Sequence, residues 1–345
     1  MYLLVTSDQI EHCRIDQWYP EFASCSMNTR YMNIPSEFRS FLLSDNIVLP
    51  DIPHGLKLKP TDPRRISSAH EDSYEAFGDV NWDSDGSEAE KPMVQEVVEN
   101  WLNTCIEELG GEVFVKLSWT SPRDASFMNS GLKCRSSGEV LLLLKSSDLV
   151  QHDLQHAFRN CMYNGSEIYD VCLATRKWAN LDPAMEFRCF VINNKLVAVA
   201  QRDAGVYYDY LSEGKVGKEC FELIQAFTLQ KRITERFPSK NFVYDVFVDR
   251  NRRVWIVDFG VLPEILQEPL DDGSFLKCSE RLVCIPPHEL ISWEVLSSLQ
   301  QPIFFTVNSR GEEKTHDAAL VSHRFPIELS TGELTPDIFR NLEKL

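Results

Sequence analysis

Residues 241–260 read NFVYDVFVDRNRRVWIVDFG, two apolar runs on either side of a polar, basic break. Val, Ile, Phe, Tyr and Trp suit a pleated, half-buried surface, and DRNRR between them marks a hairpin turn. With the turn centred between Asn251 and Arg252, residue 249 pairs with 254, 247 with 256, and 245 with 258. Asp245 and Asp258 then stand directly opposite, with Cβ atoms about 4.5–5.5 Å apart. Two unpaired carboxylates among such neighbours repel each other and lose solvation, so a positive group must accompany them. A divalent cation meets that need, and magnesium usually recruits phosphate oxygens as further ligands. Pairing of one aspartate with an arginine is the alternative. An odd-length loop or a bulge would instead send one carboxylate to the other face. On the like-charge reading alone, removing Asp258 relieves repulsion and raises stability.

Upstream, EVFVKLSW, EVLLLLKSS, IYDVCLATRKW and EFRCFVINNKLVAVAQRD read as further strands, with INNK a tight turn. PMVQEVVENWLNTCIEELGG is a helix with an apolar stripe and a Gly110-Gly111 stop, and 217–237 is one helix of period 3.6. HCRIDQWYPEF forms a helix carrying Trp18, Tyr19 and Phe22 into a core, and IPSEFRSFLLSDNIVLP a Ser36-capped helical turn followed by a strand. Hairpins with occasional helices define an α+β fold with largely antiparallel sheets. The stretch 265–320 reads as loop-rich. Residues 61–92 carry nine Asp and Glu against three Lys and Arg. Such a stretch buries too little apolar surface to offset its ordering entropy, and it reads as a disordered acidic linker. The expected organisation is an α+β segment at 1–60 packing on the core, the linker at 61–92, one lobe at 93–170, and a second lobe with a tail at 171–345.

A net charge of −17 disfavours general nucleic-acid binding, which needs surplus Lys and Arg. No apolar run approaches membrane-spanning length, and MYLLVTSDQIEHCRIDQWYP has no export signature. The ten cysteines include no Cys-x-x-Cys pair, so they read as reduced thiols of a cytoplasmic protein rather than zinc ligands. Within this acidic chain, Lys116, Lys133, Lys145, Arg176, Lys177, Arg188 and Arg202 fall on or beside strand-like segments. Cations threaded through apolar strands point to a bound anion, most simply phosphate. The segment at 120–130 has the position to fold over it, although no Walker motif is present. Ser, Cys and His form no nucleophile arrangement.

At these residues the chain resembles the cell division cycle 123 family. The resemblance rests on HCRIDQWYPEF, KLSWTSPRDA, LKC, LLLLKSSD, RKW, EFRCF, AQRD, FVYDV, VWIVDF and LSTGE, in order and spacing. It implies an ATP-grasp-like fold in which two lobes sandwich ATP with magnesium. It also implies a monomeric assembly chaperone for eukaryotic translation initiation factor 2, binding its gamma subunit and promoting joining of the alpha subunit. By the same resemblance, Lys116 reaches the phosphates or adenine, and Trp119, Ser121 and Arg123 begin a flap. Leu173, Thr175, Arg176 and Lys177 form the hinge strand beside adenine. Glu186 and Arg188 line the ribose and phosphate side, with Arg202 near the phosphates, while Lys133 completes the cationic set. Asp245 and Asp258 hold magnesium. The family's Asp-Phe-Asn-Pro is here Asp258-Phe259-Gly260-Val261, which removes a third ligand, so magnesium binds more weakly or takes an extra water. Glu264 is a possible replacement through a loop shift. The alternatives are a ligase that activates a carboxylate with ATP, and a binding module with weakened metal affinity.

Overall fold

A computed structural model of the chain describes residues 2–44, 93–129, 131–158, 169–203, 206–212, 214–262, 264–266, 282–285 and 289–307. The acidic stretch 61–92, the strand expected near 46–50 and the LSTGE motif lie outside these residues.

In chain order the elements begin with β1 (Tyr2–Leu4), α1 (Ser7–His12), α2 (Ile15–Phe22), β2 (Thr29–Asn33), α3 (Ser36–Leu43), α4 (Met93–Glu108) and β3 (Val113–Leu117). There follow α5 (Ser137–Lys145), α6 (Asp148–His156), β4 (Cys172–Lys177), β5 (Glu186–Ile192), β6 (Lys195–Gln201) and α7 (Asp209–Ser212). The remainder comprises α8 (Lys215–Gln230), α9 (Ile233–Arg236), β7 (Phe242–Val248), β8 (Val254–Val261), β9 (Glu264–Leu266), β10 (Leu282–Ile285), β11 (Glu289–Ser292), α10 (Trp293–Ser298) and β12 (Ile303–Phe305).

Among the described residues three sheets result. The first has order β2-β4-β3, the second β12-β6-β5-β7-β8, and the third β1-β9-β10-β11. Among the described strands all pairings are antiparallel except β12 with β6. The expected α+β class with largely antiparallel sheets is therefore the observed one.

The three- and five-stranded sheets each have their own core. Phe38, Leu42, Leu102, Leu117, Leu141 and Leu173 knit α3, α4 and α5 to the three-stranded sheet. Trp18, Phe22, Phe187, Tyr244, Ile224 and Phe259 knit α2 and α8 to the five-stranded sheet. Strand β4 hydrogen-bonds to both β2 and β3, so residues 172–177 form the centre of the three-stranded sheet.

Several elements follow their sequence signals. Helix α4 stops where Gly110 and Gly111 take φ of 98° and 86°, and the Gly111 N–H reaches back 2.8 Å to the Ile106 carbonyl. Asn193 and Asn194 both have positive φ, as a two-residue hairpin between right-twisted strands requires.

Other elements depart from expectation. The leucine run 141–144 is a buried helix, because Ser136 caps it through the Glu139 N–H and a short apolar run carries no period of its own. Pro35, not Ser36, is the N-cap residue of α3. The helix expected over 217–237 is two, separated by Arg232 in the left-handed region at φ 51°. The stretch expected to be loop-rich contains, among the described residues, β10, β11, α10 and β12.

The decisive hairpin reaches its expected pairing by an unexpected route. Its turn is centred on Asn251, so Val248 faces Val254, Phe247 faces Trp255 and Val246 faces Ile256. Asp249 organises this odd-length loop, its Oδ1 accepting the N–H groups of Asn251 at 2.8 Å and Arg253 at 2.9 Å. Continued regularly, that register would send Asp258 to the face of Val254 and Ile256, which packs into the core with α2 and α8. A bulge at Val257 adds one residue, and beyond it Asp245 faces Asp258. The odd loop and the bulge cancel.

Phe22 is 1% exposed and lies 5.1 Å from the Phe259 ring, so the N-terminal segment is part of the second core. Phe22→Ala is expected to lower unfolding free energy by about 3–5 kcal/mol, read from denaturant titration.

Candidate functional site

Between the three- and five-stranded sheets lies a cavity of about 470 Å³. Phe114, Leu132, Trp178 and Leu181 supply apolar wall, and Arg123, Arg176, Lys177 and Arg202 supply cations. Glu186 contributes an acid. Apolar walls with a few convergent polar groups are the usual form of a small-molecule site.

The charged groups behind the cavity form one bonded set. On β7, Asp245 accepts Arg188 Nε at 2.8 Å, Arg188 Nη2 at 3.0 Å and Arg202 Nε at 2.8 Å. Arg202 also donates Nη1 to Glu186 at 3.0 Å. From β3, the Lys116 ammonium donates to Asp258 Oδ2 on β8 at 2.6 Å. Asp258 Oδ1 accepts the Phe259 N–H at 3.1 Å. Arg176 of β4 donates Nη1 to the carbonyl of the bulged Val257 at 2.6 Å and Nη2 to Ser26 Oγ at 3.0 Å, beneath the Trp18 ring.

The electrostatics follow from burial opposed by pairing. Burial alone would raise the Asp245 carboxyl, but Arg188 and Arg202 reverse this and hold it far below the ordinary range. Glu186 is pushed up by burial, with Arg202 only partly opposing. Burial lowers the Lys116 ammonium, and Asp258 counteracts it. Arg123 is brought down to about 10 by burial and by the neighbouring Arg202.

The structure gathers most of the residues singled out above, but not all. Arg123, Arg176, Lys177, Glu186 and Arg202 line the cavity. Ser121 supports Arg123, its Oγ accepting Arg123 Nε at 3.0 Å. Lys116, Arg188, Asp245 and Asp258 form the bonded set just described. Lys133 lies 5.7 Å from the Trp178 ring and pairs with Glu112, at the edge of the cavity. Leu173 is core between the helices of the first lobe, and Thr175 is buried. Trp119 belongs to the packing: its indole N–H donates to the Ile10 carbonyl at 2.8 Å and its ring abuts Phe158 and Tyr169. Lys145 terminates α5, its Nζ donating to the Phe41 and Ser44 carbonyls, both at 2.6 Å. The backbone N–H groups of Lys177 and Trp178 are engaged by Asn28 and Glu112 carbonyls. Trp178 was within reach of sequence reasoning as the aromatic ending RKW. Phe114, Leu132 and Leu181 carry no such mark, being apolar residues among many.

The donor set does not fit a metal ion held by the protein. Both Asp245 oxygens accept guanidinium N–H groups, Lys116 occupies Asp258 Oδ2, and Gly260 offers no ligand. Among the described residues no group of three or more His, Cys, Asp or Glu side chains is placed to hold one.

The D123 family model matches residues 18–270, which contain the cavity-lining residues and the bonded charged set. The chain belongs to the D123 family. A translation initiation factor eIF2 assembly protein of Xenopus tropicalis is 33% identical over 340 residues, covering 94% of this chain and 93% of that one. Cell division cycle protein 123 of Phaeosphaeria nodorum is 36% identical over 251 residues, covering 69% of this chain and 61% of that one. The solved structure of Cdc123 from Schizosaccharomyces pombe aligns with a TM-score of 0.61 at 27% identity, covering 89% of this chain and all of that one. Among the described residues Cys13, Cys25, Cys105, Cys134, Cys172, Cys189 and Cys220 are buried free thiols. No helix among the described residues is long and apolar enough to cross a membrane.

The Lys116 pairing inverts the expected effect of removing Asp258. Lys116 is 2% exposed, and Asp258→Ala leaves its ammonium buried without a counter-charge. The variant is expected to lose about 3 kcal/mol in denaturant unfolding, with recovery when Lys116→Met is added.

A second prediction concerns Asp153, which holds the start of the 120–130 segment through Thr120 N–H and Oγ1, both at 2.8 Å. Burial pushes the Asp153 carboxyl up to about 7, against the hydrogen bonds from Thr120. Between about pH 4, where an unfolded carboxyl titrates, and pH 7 the folded state binds the extra proton. This contribution to stability is complete below that window and is lost as pH rises through it. Asp153→Asn should flatten that slope in thermal melts recorded as a function of pH.

Proposed function

We propose that the chain is an ATP-binding assembly factor for eukaryotic translation initiation factor 2, engaging its gamma subunit and promoting joining of the alpha subunit. The observation that carries the nucleotide reading is the cavity: an apolar slot beside Trp178 and Phe114 suits a base, and Arg123, Arg176, Lys177 and Arg202 suit phosphates. The assembly role rests on kinship with the eIF2 assembly proteins at 33% identity over 94% of the chain. A cytoplasmic site of action and a monomeric state are parts of the same proposal.

The nucleotide acts by linkage. Ligand bound across two lobes favours the conformation that presents the partner surface, by about 2.7 kcal/mol at a hundred times its dissociation constant and without hydrolysis. Arg123, carried on the segment after β3, is the cavity cation best placed to report closure, since Arg176 and Arg202 also hold the scaffold. The magnesium expected at Asp245 and Asp258 has no part in this reading, because their oxygens already serve Lys116, Arg188 and Arg202.

Calorimetric titration with ATP tests the proposal together with capture of purified gamma subunit. Wild-type protein is expected to bind ATP. Arg123→Ala should weaken it about tenfold or more, the loss of one charged hydrogen bond, and reduce gamma-subunit capture at subsaturating ATP. Absence of ATP binding by the wild-type chain overturns the nucleotide reading.

A further inference from the structure

The geometry points to nucleotide binding that requires no divalent cation, because the protein's own cations fill the place a metal would take. This inference rests on the nucleotide reading above and concerns how its phosphates are neutralised.

Three carboxylates of the second sheet, Glu186, Asp245 and Asp258, each accept from a cationic side chain, at 3.0 Å from Arg202, 2.8 Å from Arg188 and 2.6 Å from Lys116. The cavity wall also carries Arg123, Arg176, Lys177 and Asp203, so cations outnumber acids along it. That excess of positive charge opposes phosphate charge directly, with no metal between them.

Entry of a divalent ion between Asp245 and Asp258 would meet three obstacles. It would displace Lys116 from its carboxylate contact with Asp258 at a position 2% exposed, where an unpaired ammonium is strongly unfavourable. It would have to break the two-pronged Arg188 clasp on Asp245 and the third donor from Arg202. Once there, it would stand beside those same displaced cations, a like-charge arrangement. No third protein ligand compensates on β8. Gly260 follows Asp258 by two residues, and even a Cβ at that position would come within 3.1 Å of Val243 Cγ2.

A direct comparison decides the matter: calorimetric ATP affinity of the full chain in EDTA and in saturating magnesium. Affinity in EDTA within about threefold of that in magnesium, or tighter, is the expected result. Binding at least about tenfold weaker in EDTA overturns this inference while leaving the nucleotide reading intact. No binding in either condition overturns both. A measurement free of any variant or activity provides the second arm. Manganese titrated into the ATP-saturated protein and followed by electron paramagnetic resonance should show no protein-dependent loss of free-ion signal beyond that due to ATP alone. A stoichiometric loss overturns the inference.

Discussion

A buried ammonium in contact with one carboxylate ties the two lobes together. Lys116 belongs to the three-stranded sheet and Asp258 to the five-stranded sheet, and their 2.6 Å contact spans the space between them. Beside it, Arg176 crosses in the same direction to the Val257 carbonyl at 2.6 Å. Both contacts land on consecutive residues of one bulge. A bulge leaves backbone groups without a ladder partner, and buried backbone groups must find one. Here the irregularity turns a carboxylate toward the cleft and offers a carbonyl to the opposing sheet.

The rest of the site is arranged around those bonds. Residues 15–33 form its floor rather than an appendage: Ser26 and Thr29 receive Arg176, and Trp18 stacks over its guanidinium. Arg202 is shared by Asp245 and Glu186, so three strands of the second sheet are joined by side chains as well as by the ladder. Groups locked in this way are positioned before any ligand arrives, which limits the ordering cost of binding. A chain with net charge −17 holds a local concentration of cations here, and Lys116, Arg188 and Arg202 are each paired with a carboxylate within the fold.

Much of the fold was legible because its signals are local. Strand alternation in 242–248 and 254–261, the Asn193-Asn194 turn and the Gly110-Gly111 stop each depend on backbone preferences that neighbouring residues reveal. The leucine run 141–144 was not legible, since four consecutive leucines offer no polar face to betray their period. Trp119 shows the same limit in the site. An indole can pack or line a cleft, and the Ile10 carbonyl that settles its place is 109 residues away.

The sequence by itself determined the hairpin, the need for positive charge beside its two buried aspartates, and the set of cations available to meet it; the bulge that brings Asp245 opposite Asp258 belongs to the structure. Only the tertiary structure decided which positive charge that is. Lys116, Arg188 and Arg202 come from three different strands, and whether they or a metal neutralise the pair depends on distances of a few ångströms between segments more than 40 residues apart. Composition and spacing carry no record of such distances. They are set by how the two cores pack against one another and by one extra residue at Val257.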